Sequence, residues 1–474
     1  MTESRTLKLR NPRTGQSDGE LAISSQAELD ELTVRLRAAQ PAWAAQPVLI
    51  RCAALLALAD ALERQREPML DALLRDTGRW HESVMEFDST LATLRRWAAG
   101  APACLETHAE VAGNIPFIKT RQELVPYALV GVISPWNFPL LLSLIDAIPA
   151  LAAGCAVLVK PSEVTSRFVE VLRVALADVP ALSGLIGIVI GDGMTGAAVI
   201  AAVDTICFTG SVRTGRRVGE ACAARFIPAS LELGGKDPAL VLDDADPQRA
   251  ARAIAWAGFV NGGQSCMSIE RVYVDASIAE AFISALVEQA GRLRLAHPQP
   301  QDGEIGPIIS AAQVEIVREH LADAKARGAR ALIGGELVDL GGQWCPPTVL
   351  VDVDHSMKVV SEETFATVLP VMVVADEEEA IARANDSVYG LSAAVFSGDP
   401  ARAQRVARRL NAGGVSINDA SLTGMIHSEE KQSFKQSGMG GSRMGAPSIR
   451  RFLRAQALLI NPGVEDPWWF KTPA

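Results

Sequence analysis

Apolar residues between positions 26 and 112 recur at the spacing of one helical face, as in Ala53-Ala54-Leu55-Leu56-Ala57-Leu58-Ala59-Asp60-Ala61-Leu62, and few alternating runs interrupt them. The pattern predicts a helical segment behind a polar opening, with Trp80 and Trp97 as part of its core stripe. From about 117 the period changes to that of strands. Phe117–Val125 and Ala128–Ile133 predict a hairpin reaching away from the body. A turn through Ser134-Pro135-Trp136-Asn137-Phe138-Pro139 leads into a helix to about 153, and Ala156–Val159 reads as a buried strand ending at Lys160-Pro161-Ser162-Glu163. A further helix is predicted over about 165–177.

Strand then alternates with helix, which implies a parallel sheet with crossovers. Ile186–Ile190 runs into Gly191-Asp192-Gly193-Met194-Thr195-Gly196 and a helix from Ala197, so a G-x-G-x-x-G match stands between strand and helix. No acid follows at the distance a ribose contact requires, and an ordinary glycine turn explains the match equally well. The next strand, Asp204–Phe208, ends in Thr209-Gly210-Ser211, a second small-residue loop whose helix N-terminus is suited to phosphate. A strand at 238–242 and renewed alternation from 246 to about 417 predict a second α/β domain. Ala455–Ile460 reads as a lone strand whose partner is the hairpin near 120, in this or a neighbouring subunit.

Composition narrows the function classes. At 474 residues the chain exceeds what one core usually sustains. Its 45 basic and 55 acidic residues are dispersed and give a net charge of −10, which argues against nucleic acid or an anionic membrane as partner. The 7 cysteines are scattered and form no CxxC pair, so neither a disulfide framework nor a metal site is expected. The first ten residues lack an apolar signal core, and the run from Leu140 to Ala153 is broken by Asp146 and Pro149. A soluble cytoplasmic protein is the expectation.

Chemistry concentrates in Asn261-Gly262-Gly263-Gln264-Ser265-Cys266-Met267-Ser268. A thiol among small residues suits a nucleophile, although packing explains most single cysteines. Upstream, Glu232 in Leu231-Glu232-Leu233-Gly234-Gly235-Lys236 is an acid able to serve it.

These stretches, with Pro135–Pro139, Lys160–Glu163, Phe208–Ser211, Gly263–Cys266 and Glu362-Glu363-Thr364-Phe365, occur in the order that resembles the aldehyde dehydrogenase superfamily, from about 25 to 460. The resemblance implies an α/β, aldehyde dehydrogenase-like fold. It has a Rossmann-type cofactor domain (1–112 and 131–234, with a returning segment at about 435–452), an α/β catalytic domain (235–434) and a small β oligomerisation arm (113–130 and 453–474). It implies Cys266 as nucleophile, Asn137 and the Cys266 N–H as oxyanion donors, and Glu232 as general base for hydrolysis of a thioester. Cofactor contacts fall to Ser134, Pro135, Trp136, Lys160, Ser162, Glu163, Gly193, Gly196, Phe208, Thr209, Gly210, Ser211, Leu233, Gly234, Glu363 and Phe365. Glu163 as the ribose acceptor favours NAD, with NADP possible. A homodimer or homotetramer is expected.

The resemblance also has departures. Ala366-Thr367 stands where Gly-Pro is common, Ser433–Gly438 is a reduced form of the C-terminal signature, and Ile145-Asp146 replaces Trp-Lys. The substrate tunnel falls to Leu141, Leu142, Ile145, Phe259, Val260 and Ser265 and to the stretch 419–430, which implies an apolar or aromatic aldehyde. The charges of that stretch read as a solvated rim or as part of a polar pocket. Glu270 reads as structural, and Gly262 and Gly263 as room for the nicotinamide. Two alternatives stay open, an acylating coenzyme-A-dependent dehydrogenase and a non-catalytic protein that retains the fold.

Overall fold

The computed structural model describes residues 5–106, 109–115, 117–463 and 467–470. The opening is not featureless, because Thr6–Arg10 and Ser17–Ala22 pair as an antiparallel hairpin. The helical segment then forms as Gln26–Ala44, Val48–Arg64, Arg66–Thr77 and His81–Cys104. The first helix starts at a capping box, Ser25 accepting from the Glu28 N–H while the Glu28 carboxylate reaches back to Ser25.

A six-stranded sheet follows in the order Gly438–Met439, Ala229–Glu232, Thr205–Thr209, Leu129–Ile133, Ala156–Lys160, Ile186–Ile188. It is parallel except for the Gly438–Met439 edge. Every residue of Leu129–Ile133, Ala156–Lys160 and Thr205–Thr209 is buried. Continuous apolar runs of this kind belong to parallel strands covered on both faces. The chain leaves Leu129–Ile133 toward one side and returns on the other, which makes the carboxyl ends of Leu129–Ile133 and Thr205–Thr209 a topological switch point, the usual place for a ligand in such sheets.

The second sheet has seven strands, ordered Arg330–Ile333, Thr348–Val351, Val368–Val374, Ile269–Asp275, Asp237–Val241, Ser392–Phe396, Gly414–Ile417. Separate apolar clusters lie on its faces, one including Phe259, Phe282 and Phe396, another Leu240, Tyr273 and Val395. A third sheet joins Leu453–Ile460, Lys119–Pro126 and Val111–Ala112. Residues 116, 464–466 and 471–474 of the expected arm lie outside the described residues.

The structure corrects or sharpens several of these expectations. The hairpin of 117–125 with 128–133 does not form: the wholly buried Leu129–Ile133 enters the middle of the six-stranded sheet, while the half-exposed Lys119–Pro126 stays outside it. Leu453–Ile460 pairs with Lys119–Pro126 of the same chain along its full length, so this pairing needs no neighbouring subunit. The helix after Asn137 is two helices, Pro139–Leu144 and Ala147–Ala153. Pro149 has no N–H for the carbonyl of Ile145, and its ring would clash there, so the chain breaks at Ile145-Asp146. The helix after the G-x-G-x-x-G match begins at Gly193, four residues before Ala197, because the Asp192 side chain caps it through the Met194 N–H at 2.9 Å. Among the described residues no helix is long and apolar enough to cross a membrane.

Candidate active site

The cysteine loop follows the helix Pro247–Phe259 and is built from left-handed backbone. Asn261, Gly262 and Gly263 have φ of 58°, 61° and 70°. At Gly263 a Cβ would lie 2.2 Å from the Ala366 carbonyl oxygen, so glycine is required by the approach of the Ala366-Thr367 backbone.

Gln264 locks the loop. Its Nε2 donates to the carbonyls of Asn261 (3.1 Å) and Pro307 (3.2 Å), and its Oε1 accepts from the Ile309 N–H at 2.9 Å. Asn137, nearly buried, donates from Nδ2 to the Gln264 carbonyl at 3.0 Å, and Asn261 donates to that carbonyl at 2.8 Å and to the Asn137 carbonyl at 3.3 Å. The side-chain amide of Asn137 is therefore fastened two residues before Cys266.

Both ends of this arrangement hang on one helix, His81–Cys104. Glu86 accepts from the N–H groups of Leu140 (2.8 Å) and Leu141 (3.1 Å), capping the helix that follows Asn137, and Glu82 accepts from the Asn261 N–H at 3.1 Å. Arg79 pairs with Glu86 at 3.1 Å. Burial pushes the Glu86 carboxyl up to about 7 against the pull of Arg79 and the two N–H donors. Neither acid was singled out in the sequence, where they are ordinary charges on a helical face.

Cys266 is half-buried and unpaired. Burial pushes its thiol up to about 12, Lys431 opposes this, and Glu363, Glu232 and Asp237 add to it. Lys431 is itself buried, one residue past the stretch 419–430 where a solvated rim or a polar pocket was expected, while Glu429 and Glu430 within it are exposed. A Cβ on Gly235 would meet the Cys266 carbonyl oxygen at 2.4 Å, which explains a glycine directly behind the thiol. Glu232 ends its strand half-buried, and its Oε2 accepts from the Ser433 Oγ at 2.9 Å.

The cofactor candidates gather at the carboxyl ends of the six-stranded sheet. Lys160 is buried, donating to the Pro161 carbonyl at 2.8 Å and to the exposed Glu163 at 3.2 Å. Gly196 faces the Lys160 side chain, and a Cβ on Gly193 would meet nothing within 4 Å. Ser211 caps the helix Val212–Ala224, Gly210 lies over the Phe208 ring, and Thr209 closes its buried strand. Ser134 and Ser162 are occupied within the protein: the Ser134 hydroxyl shares a hydrogen with Ser143 at 2.6 Å, and Ser162 accepts from the Val164 N–H at 3.2 Å. Leu233 donates its N–H to the Ser437 carbonyl at 2.8 Å.

Glu363 lies across Gly234, where a Cβ would be 2.5 Å from its carboxylate, and accepts from the Gly235 N–H at 2.9 Å. Burial and then Glu270 push its carboxyl up to about 8. Phe365, in left-handed backbone at φ 55°, meets Trp136 edge to face at 5.4 Å, with Pro135 beside it half-buried. Glu270 is structural, as expected. It takes Lys236 at 2.6 Å and the N–H groups of Thr364 (2.7 Å) and Phe365 (2.9 Å), so it pins the turn that presents Glu363 and Phe365.

Of the expected tunnel residues, Leu141, Leu142, Ile145, Val260 and Ser265 are half-buried, while Phe259 is packed in the core beneath the second sheet. Met425 and Ile426, 60% and 52% exposed, are apolar residues of the late loop that the sequence reading did not single out. Thr423 of the same loop touches the Met267 sulfur at 3.3 Å, which joins it to the cysteine loop.

The profile described as "Aldehyde dehydrogenase family" matches residues 1–458. A 4,4'-diapolycopene aldehyde oxidase of a Methylomonas species is 37% identical over 98% of this chain and 88% of its own length. A protein of Mycolicibacterium smegmatis named putative succinate-semialdehyde dehydrogenase (NADP+) is 34% identical over 94% of this chain and 87% of its own. The solved structure of the putative aldehyde dehydrogenase PutA from Anabaena variabilis superposes with a TM-score of 0.96 at 52% identity, covering 98% of this chain and 100% of that one.

Proposed function

The chain belongs to the aldehyde dehydrogenase family, and from that premise we propose that it oxidises an apolar or aromatic aldehyde to the carboxylic acid through a thioester on Cys266. The observation that carries this reading is the bond from Asn137 Nδ2 to the Gln264 carbonyl, which fixes an amide donor beside the nucleophile's loop. Glu232 takes the Cys266 proton as the sulfur adds to the aldehyde carbon, and passes it to solvent before the hydrolytic step. The oxyanion that forms is held by Asn137 and the Cys266 N–H, and loss of one such donor typically costs about 10²–10³ in rate. After oxidation, Glu232 takes a proton from water as the water oxygen attacks the thioester carbonyl, the C–S bond breaks, and the acid leaves with the thiolate restored.

NAD(P) fits the loops around the switch point. Trp136 and Phe365 offer an aromatic edge, Glu363 a carboxylate over Gly234 for ribose hydroxyls, and Lys160 with Glu163 a polar pair at the end of a parallel strand. Bound there, NAD(P) supplies the hydride acceptor. The exposed Glu163 carboxylate favours NAD, because it repels a 2′-phosphate.

The apolar half-buried side chains of Leu141, Leu142, Ile145 and Val260, with exposed Met425 and Ile426, favour an apolar substrate. The name of the Methylomonas relative supports the same class. We further assign residues 1–112 and 131–234, with a returning segment at about 435–452, to the cofactor domain, 235–434 to the catalytic domain, and 113–130 with 453–474, which supply two strands of the three-stranded sheet, to the oligomerisation arm of a homodimer or homotetramer. The free cysteines suit the cytoplasm.

The test is NADH absorbance with long aliphatic, aromatic and succinic semialdehyde substrates. Preference for the apolar members and loss of all turnover in Cys266→Ala are expected. Preference for the semialdehyde would overturn the substrate class, and product appearing only as a thioester of added coenzyme A would overturn the hydrolytic step.

A further inference from the structure

Asp146, at the break between the two helices after Asn137, is 1% exposed and carries two guanidiniums. Arg443 donates to it from Nε at 3.1 Å and from Nη2 at 2.8 Å, and Arg451 from Nη2 at 2.5 Å. Both arginine side chains are close to nine-tenths buried, at 11% and 8% exposed. One carboxylate against two guanidiniums leaves a positive charge in excess, and the Nε and Nη1 of Arg451 find no acceptor. Charge taken out of water in this way is costly unless a second anion faces it.

The strand register names that anion. Arg443 Nη2 also donates to Thr209 Oγ1, and Thr209 is the direct partner of Glu232 on adjacent parallel strands, which run about 5 Å apart. The approach is made from the other side as well. Gly438 pairs with Glu232 on the antiparallel edge strand, Ser433 just before it holds Glu232 Oε2, and Arg443 follows shortly after. Burial weakens the charged form of Arg443, and the carboxylates of Asp146 and then Glu232 more than restore it.

We propose that Arg443, fixed by Asp146 and Thr209, is the positioning residue of Glu232: it makes no bond to that carboxylate, and its charge, held one strand away beside Thr209, draws the carboxylate into the orientation for water activation in hydrolysis of the thioester. The proposal rests on the reading of Glu232 as general base. Arg451 shares the Asp146 carboxylate without a bond to Thr209, so its loss removes an ion pair of the cluster while leaving both bonds that fix Arg443.

The experiment compares Arg443→Gln, Arg443→Lys, Arg451→Gln, Thr209→Val and Glu232→Gln in the full chain, by rapid mixing with NAD and an aldehyde the enzyme accepts. Arg443→Gln is expected to keep the first burst of NADH and the KM for NAD, while its steady rate falls by about 10²-fold, the scale of a misplaced catalytic group. Hydroxylamine, which attacks a thioester without a base, should restore that steady rate. Arg443→Lys should recover part of it, and Thr209→Val should show a smaller loss of the same kind. Arg451→Gln, which breaks a bond to the same carboxylate, should stay within about threefold of wild type, as expected for a residue outside the reacting geometry.

Burst and steady rate falling together in Arg443→Gln, or equal losses in Arg443→Gln and Arg451→Gln, would reduce the cluster to packing and overturn the proposal. So would failure of hydroxylamine to help Arg443→Gln. If Arg443→Gln does not fold, Thr209→Val with an unchanged steady rate overturns it alone. Should Glu232→Gln itself show no burst followed by a stall, the fault lies in the general-base reading instead.

Discussion

The loop that carries Cys266 and the late loop that approaches it differ in how each is held. Residues 261–268 are tied by Gln264, Asn261 and Asn137 to carbonyls and N–H groups on separate elements, and left-handed residues fix the path. Residues 421–430 touch the cysteine loop through Ser421, which donates to the Met267 carbonyl at 2.7 Å, and Thr423, and otherwise expose Met425, Ile426, Glu429 and Glu430. The first loop is over-determined and suits chemistry common to every substrate. The second is loosely held and suits the choice among substrates, as surface loops on a rigid frame usually do.

The sharpest way to break this contrast is Asn137→Ala. Loss of the amide donor should lower kcat by about 10²–10³ with little change in the KM for NAD. A similar loss from any change in 421–430 would erase the distinction. Gln264→Ala comes next. It leaves the Pro307 carbonyl and the Ile309 N–H without partners, and each unsatisfied buried group costs about 1–3 kcal/mol, so a fall in Tm with a parallel loss of activity is expected.

Lys431→Met probes the point where the late stretch reaches the thiol. With the thiol pushed up to about 12, alkylation by iodoacetamide should rise with pH throughout the neutral range. Removing the cation that opposes this rise should slow alkylation at fixed pH by about tenfold, and Lys431→Arg should restore it. Met425→Ser with Ile426→Ser should have the smallest effect, raising KM for apolar aldehydes by about a few fold, below the roughly tenfold or more that a methylene is worth in a closed pocket, because both side chains are more than half exposed. An unchanged KM for every aldehyde would remove those two residues from the substrate path.

What the sequence made legible follows the same division. The parallel strands showed as continuous apolar runs, and the glycines and acids near Cys266 showed as motifs, because both depend on local spacing. The supports did not. Glu82, Glu86 and Lys431 resemble ordinary surface charges until the fold buries them, and Asp146 gains meaning only when Arg443 and Arg451 arrive from the far end of the chain. The hairpin near 120 was misread for a related reason. Two strand-like runs adjacent in sequence were sorted by burial, one to the centre of a sheet and one to a strand more than three hundred residues away, Leu453–Ile460. Proline chemistry did mark the break at Ile145-Asp146, but only Pro149, downstream of it, carried the signal.

The edge strand Gly438–Met439 has a consequence for how the enzyme comes into being. It pairs with Leu231 and Glu232, and the residues around it supply Ser433 and Arg443, so the proposed base is seated by residues about two hundred positions downstream of it. On the ribosome, the cysteine, its amide partner and the cofactor loops all emerge before that strand exists. A nascent chain carrying Cys266 thus lacks the elements that seat Glu232, and the proposed hydrolytic half of the site is completed only once residues 433–443 have been made.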